Sequence, residues 1–264
     1  MPSPMRKLIL LLFVATTAVA QVPEGDQHWA LRAEGHQGGR AQAAQVDAAI
    51  AAYRKAIAQN PNDLEARWKL LRAIRFKGAY VAATNEAKKP VYDEGKKAGE
   101  EALAAARGKS GNDVAEIYLW DAVNWGEWAL AYGKMAAVRE GAADRIKREA
   151  TLAMQMDPKL EGGAPARVLG RLHDQTPRVP FLTGWASSKE AVRLLNESLK
   201  IDPPNKITRV FLAEAMVSND SSTRSQAIAM LRDVIKAPND PEYEVEWAAA
   251  TDDARALLKK WGAS

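Results

Sequence analysis

The amino-acid sequence predicts an all-α protein, an irregular array of about ten helices arranged as hairpins. Three observations carry that prediction. Apolar residues recur at three- and four-residue spacing through one segment after another. No stretch shows the two-residue alternation of an exposed-face strand or the Val/Ile run of a buried one. Asn-Pro, Asp-Pro and Gly-Gly pairs punctuate the periodic segments. With 264 residues, 47% of them hydrophobic and 27% charged, there is enough chain to bury a sizeable core.

The first twenty residues have a different character. Arg6 and Lys7 precede the apolar run Leu8–Val14, and Ala18-Val19-Ala20 places small residues where a signal peptidase requires them. Residues 1–20 therefore read as a cleavable signal peptide, with Gln21 as the mature start. That run is too short to span a bilayer, and no later one approaches about 18 apolar residues, so a soluble exported protein is expected. Residues 21–41 mix Pro, Gly and charge without a period and read as an irregular lead-in or linker, leaving 42–264 as a helical-repeat domain.

Within that domain, Gln42–Gln59 carries Val46, Ala49, Ile50, Tyr53 and Ala56 at helical spacing and stops at Asn60-Pro61. Asp63 opens a second helix, with Trp68, Leu71 and Ile74 inward and Lys69, Arg72 and Arg75 as a basic stripe that reads as a solvated face; Gly78 is expected to end it. Ala82–Ala106 is Lys- and Glu-rich, with Pro90 marking a start or kink. Val114–Val138 is the aromatic helix, holding Tyr118, Trp120, Trp125, Trp128 and Tyr132. Its apolar side chains point most of the way round, the pattern of a core helix touched by several others. Asp121 and Asn124 are the exceptions on it that need hydrogen-bond partners. Gly141–Met156, Leu160–Gln175, Ser187–Ile201, Lys206–Val217, Thr223–Ile235 and Pro241–Trp261 complete the ten, with 176–184 as a long loop.

Three helices end alike: Ala49…Tyr53…Ala56…Pro61, Ile146…Ala150…Ala153…Pro158 and Ala191…Leu195…Ser198…Pro203. Small or apolar residues at fixed offsets before a terminal proline resemble the second helix of a tetratricopeptide repeat, and a fourth copy near Ala227, Leu231, Val234 and Pro238 is one residue short. The small residue admits a neighbouring helix and the proline forces the turn into the next one. These prolines lie 97, 45 and 35 residues apart, whereas tandem repeats recur at about 34, so the tetratricopeptide-like array is irregular.

That irregular order resembles the T component of tripartite ATP-independent periplasmic (TRAP) transporters. The pieces that carry the resemblance are Ala122-Val123-Asn124-Trp125-Gly126 within the aromatic helix, Met156-Asp157-Pro158, Gly162-Gly163, Leu169-Gly170-Arg171-Leu172, the segment 177–184, the helix Lys189–Pro203, and Ala237-Pro238-Asn239-Asp240-Pro241-Glu242 before a last helix. The resemblance implies a non-enzymatic periplasmic protein that partners a solute-binding protein, assembles as a symmetric homo-oligomer and offers an apolar cavity or pore to a hydrophobic small molecule. Members of that family are often lipoproteins; this chain has no lipobox cysteine.

The residues themselves exclude much chemistry. There is no cysteine, hence no disulfide, thiolate zinc site or cysteine nucleophile, and three histidines make a metal site hard to assemble. Of 37 basic side chains, removal of Arg6 and Lys7 leaves 35 against 33 acids, a balance that gives nucleic acid no purchase. Ser187-Ser188 and Ser221-Ser222 stand at helix starts as caps, and no catalytic residue, metal ligand or cofactor motif stands out. The chain is therefore read as a non-enzyme with no cofactor. Its candidate ligand site lies where Trp120, Asn124, Trp125 and Trp128 meet Leu169–Arg171 and the loop carrying Phe181 and Trp185, with Arg167 and Arg171 to receive a carboxylate or to pair with acids such as Asp174. The alternative from another class is a periplasmic scaffold that binds a peptide or an envelope protein complex along a concave face, with no small-molecule cavity.

Overall fold

A computed structural model describes residues 21–179 and 183–263; the signal-peptide reading of 1–20 and the candidate residue Phe181 lie outside them. Among the described residues there are twelve α-helices and no strand, only an isolated antiparallel bridge between Gln37 and Arg40. In order they are α1 (Gln21–Ala30), α2 (Ala43–Gln59), α3 (Leu64–Phe76), α4 (Asn85–Ala106), α5 (Asn112–Tyr132), α6 (Lys134–Arg139), α7 (Ala142–Met156), α8 (Leu160–Gln175), α9 (Ser188–Ile201), α10 (Lys206–Asn219), α11 (Arg224–Lys236) and α12 (Glu244–Lys260). Side-chain caps at Asp63, Thr84, Ser187 and Asn205 start α3, α4, α9 and α10, each accepting a bond from the backbone N–H three residues on. The expected all-α array of helical hairpins is the architecture found.

Two helices exceed the expected ten, and a glycine bears on each. Residues 21–30 form α1 and not an irregular lead-in: Gly25 is buried against the Tyr53 ring, where a Cβ would collide, and Asp26 accepts a 2.8 Å bond from the Tyr53 hydroxyl and a 2.6 Å ion pair from Lys69. The aromatic helix stops at Gly133, whose φ of 87° breaks the right-handed path, so α6 is separate and Met135 is exposed. Conversely, Gly78 does not end α3. The chain continues through a π-helical turn, Lys77–Val81, and Gly78 is required because the Tyr92 ring occupies the place of a side chain.

Helix α5 is the core helix its sequence announces, packed by α3, α4, α7 and α8. Its polar exceptions are completely buried, and glycines make room for them. Asn124 lies over Gly95 and Asp121 over Gly99, four residues apart on α4. The Asn124 amide donates to the carbonyls of Leu71 (3.1 Å) and Trp120 (2.8 Å), pinning α3 to α5. Asp121 accepts from the Arg145 guanidinium at 3.0 Å, and Arg145 also reaches Glu149 at 3.1 Å. Burial, followed by a hydrogen bond with Asp121, pushes the Glu149 carboxyl well above the usual range, so this pair retains a proton.

The helices form two layers closed on themselves. Helices α3, α5, α8, α10 and α12 touch in that order, and α12 returns to the π-helical turn that ends α3. Outside them, α4, α7, α9 and α11 each bridge two successive inner helices. The fifth outer position belongs to α2, whose Val46, Ala49 and Ile50 share a hydrophobic cluster with Val245 of α12 and with Tyr80. Closure is polar as well as apolar: Arg32 and Glu246, each less than a tenth exposed, pair at 3.1 Å, and Arg32 also donates to the Glu242 carbonyl. Gly39 passes so close to Ala249 that any side chain there would overlap it. Buried Lys206 donates to Ala237 O (2.7 Å), Asn239 Oδ1 (2.9 Å) and Thr251 Oγ1 (3.2 Å), which fixes the loop that delivers α12.

Three substitutions test this packing in urea unfolding. Gly99→Ala drives a methyl into Asp121 and should cost about 1–3 kcal/mol. Gly126→Ala, in the same pair of helices but facing open space, should gain about 0.5–1 kcal/mol. Glu246→Ala strands the buried Arg32 charge and should cost about 3–5 kcal/mol.

Candidate functional site

The residues expected to form an aromatic pocket separate into three groups. Trp125, Trp128, Leu169 and Trp185 do come together in one hydrophobic cluster with Ile146, Ala150 and Leu194. Their ring faces, however, are covered by the chain's own cations. The Lys96 ammonium stands 4.0 Å from the Trp125 centroid and 3.9 Å from that of Trp128; Arg145 lies 4.7 Å over Trp125, and Lys147 4.4 Å over Trp185. The Trp128 and Tyr132 rings stack at 4.6 Å, and both donate to Asp93. Trp120 and Asn124 point away from that cluster, Trp120 toward Trp68 and Leu71 and Asn124 toward the Leu71 carbonyl. Arg167 and Arg171 face α10: Arg171 pairs with Glu214 (2.5 Å) and Asp174 (3.3 Å) over the Phe211 ring, and Arg167 meets Thr208 Oγ1 at 3.3 Å.

A different set of residues converges on the inner wall of the closed array. The stripe on α3 is not the solvated face its sequence suggested. Lys69 is buried against Asp26 and Glu65, while Arg72 and Arg75 project inward, half-buried. Arg75 makes a two-donor contact with Glu127 of α5 (3.1 and 2.9 Å) and donates to the Tyr80 hydroxyl (2.9 Å). Arg72 lies over two tryptophans, its guanidinium carbon 4.3 Å from the Trp29 ring centroid and 4.8 Å from that of Trp68. Trp29 comes from α1 and Trp68 from one turn earlier on α3, where its Nε1 donates to Asp113 at 3.0 Å.

Glu161 sits at the centre of this wall. It is the one described non-glycine residue with a positive φ, 45°, and with Gly162 and Gly163 it makes a left-handed start to α8. The two glycines pass closely over Asp202, Ser198 and Ile201 at the end of α9. Its carboxylate is 4.0 Å from Arg72 and its carbonyl 3.4 Å from Arg167. Glu116 of α5, 5% exposed, accepts from Trp120 Nε1 at 3.0 Å; burial first, then the nearby Glu161 charge, push its carboxyl up to about 8. Desolvation lowers Arg167, against the attraction of Asp202 and Glu161, and the Arg75 charge from α3 reaches it too.

This wall is wet. Asp253 of α12 is exposed to water, yet desolvation raises its carboxyl and it lies in the fields of Arg171, Glu127 and Glu214 from three other helices. Arg75, Glu127, Arg171 and Glu214 likewise retain about a fifth to a quarter of their side-chain surface. These groups keep contact with water and also interact from helix to helix across the array. Charged forks and aromatic faces are held there in fixed positions, an arrangement suited to recognition. Among the described residues no group of three His, Asp or Glu side chains is arranged for a metal ion.

No family model matches the chain, and no curated protein matches it.

The Glu116 carboxyl gives a pH test with a definite sign. Its folded value of about 8 lies above the ordinary value of 4.5, so the folded state holds the extra proton between those limits. Stability contributed by that proton is complete below about pH 4.5 and is lost as pH rises toward 8, by at most about 1.4 kcal/mol per pH unit. Glu116→Gln, which still accepts from Trp120, should remove this part of the slope when unfolding free energies of the two proteins are compared from pH 5 to 8.

Proposed function

We propose that the protein is a non-catalytic binding protein of the tetratricopeptide type, exported to the bacterial periplasm, which holds a small organic ligand against the inner wall of its closed helical array. In this reading it serves as an accessory to a periplasmic solute-binding protein, in the manner of the T component of TRAP transporters. The observation that carries the reading is the group of part-exposed charged and aromatic side chains, Trp29, Trp68, Arg72, Arg75, Glu161 and Arg167, that three helices bring together. The signal-peptide pattern of residues 1–20 supports export, and the order of the hairpins supports the T-component comparison.

One observation favours a second reading. The tryptophans around Trp125 are covered by Lys96 and Arg145, while the arginines and half-buried aromatics line the concave face, as a protein that binds a peptide or an envelope complex would have them.

Native mass spectrometry of protein purified from a periplasmic extract, followed by denaturing spectra, separates the two. A discrete organic mass should be released from the parent protein and from Trp125→Phe, and be absent from Trp68→Ala. A co-purifying polypeptide would turn the assignment to the scaffold, and a bare protein in every sample would sink both readings.

A further inference from the structure

The binding role proposed above is the premise of a more specific assignment. We propose that Arg72 and Arg167 form an oxyanion site on the inner wall, which takes the carboxylate or phosphate of a small organic molecule in place of the resident Glu161 carboxylate.

Both arginines hold donors that no carboxylate satisfies. A guanidinium has five N–H groups in a rigid fork, and the Arg72 guanidinium carbon lies against the Trp29 and Trp68 rings, which accept no ordinary hydrogen bond from its N–H rim. Its Nε is buried without a partner. Its polar neighbours are the Tyr53 hydroxyl, whose own proton goes to Asp26, and Glu161, which at 4.0 Å is beyond hydrogen-bond distance. Arg167 meets two neutral oxygens, Thr208 Oγ1 at 3.3 Å and Glu161 O at 3.4 Å, and among the described residues has no carboxylate within 4 Å. Two cations thus converge on one residue that satisfies neither.

The surrounding acids do not remove the excess. Glu116 carries its proton near neutral pH, and Glu127 is engaged by Arg75. Asp202, beside Gly162 at the end of α9, accepts from Asn205 at 2.8 Å and attracts Arg167 only from beyond ion-pair distance. A ligand oxyanion would give the Arg72 rim the charge-assisted bonds it lacks and bring Arg167 a formal counter-charge. Glu161 is suited to giving way. It is loosely held, and it stands on a left-handed backbone, a strained conformation of the kind that persists at ligand sites. Trp120 and Tyr243, half-buried on the same wall, offer apolar surface to the body of the molecule.

The test is a calorimetric titration of the purified protein with benzoate and with phenyl phosphate, each compared with benzyl alcohol and benzylamine. At least one anion should bind, and which of the two binds identifies the oxyanion. Arg72→Gln and Arg167→Gln should each weaken that binding at least tenfold, and Arg54→Gln, on the outer surface, should not. Glu161→Gln should tighten it several-fold, because the competing internal carboxylate is gone. This last variant keeps the test valid if an arginine variant fails to fold. Absence of binding by both anions, affinity indifferent to Arg72 and Arg167, or weaker binding by Glu161→Gln overturns the proposal. Binding of the alcohol or amine alone would overturn the oxyanion assignment and leave the general binding role standing.

Discussion

The structure depends on the meeting of its two ends at Arg32 and Glu246. The pair is buried, and taking both charges out of water offsets most of what their attraction contributes, so its importance lies more in specifying geometry than in net stability. Apolar contacts of Val245 and Ala249 with the first hairpin supply the favourable area, and Gly39 permits the approach. That contact joins α12 to the first hairpin, where an open solenoid leaves its ends apart. Trp29, which covers one face of Arg72, is carried by α1, and Tyr243 by the turn before α12; both reach the inner wall because the ends are joined.

A second constraint runs through the middle of the fold. Asp121 and Asn124 are polar groups on a helix surrounded by apolar neighbours, which is unfavourable unless each finds partners. Gly95 and Gly99 let them lie almost on the α4 backbone, and Arg145 and the Leu71 carbonyl satisfy them from α7 and α3. Sliding α4 by one turn would leave only one of these side chains over a glycine and drive a larger residue into the other. The polar pair thereby sets a register that Leu and Ala packing alone would leave loosely specified.

Helical periodicity is local, and what it controls was legible in the sequence: ten of the twelve helices, the burial of α5 on several sides, and the need of Asp121 and Asn124 for partners. What escaped was non-local. Lys96 lies 29 residues from Trp125, and nothing in the aromatic helix reveals that a cation from α4 will cover its rings. Arg72 reads as one member of a basic stripe until Trp29, 43 positions earlier, is seen to stack on it. Gly25, Gly39 and Gly78 look like punctuation, whereas each is small because another element needs the space. Arg167 and Arg171 share one face of α8 as their spacing implies, but that face looks toward α10 and away from the tryptophans.

Joining residues 214 positions apart also has a kinetic consequence. In an open solenoid each repeat answers only to its neighbours, and folding can begin anywhere and spread. Here the loop-closing contact comes last along the chain, and its entropic cost must be met before the inner wall exists. Growing from a ribosome, the polypeptide can assemble its early hairpins but cannot complete this wall until α12 has emerged. Loss of the chain from Glu244 onward would then be felt at Arg72 and Trp29, far back along the sequence.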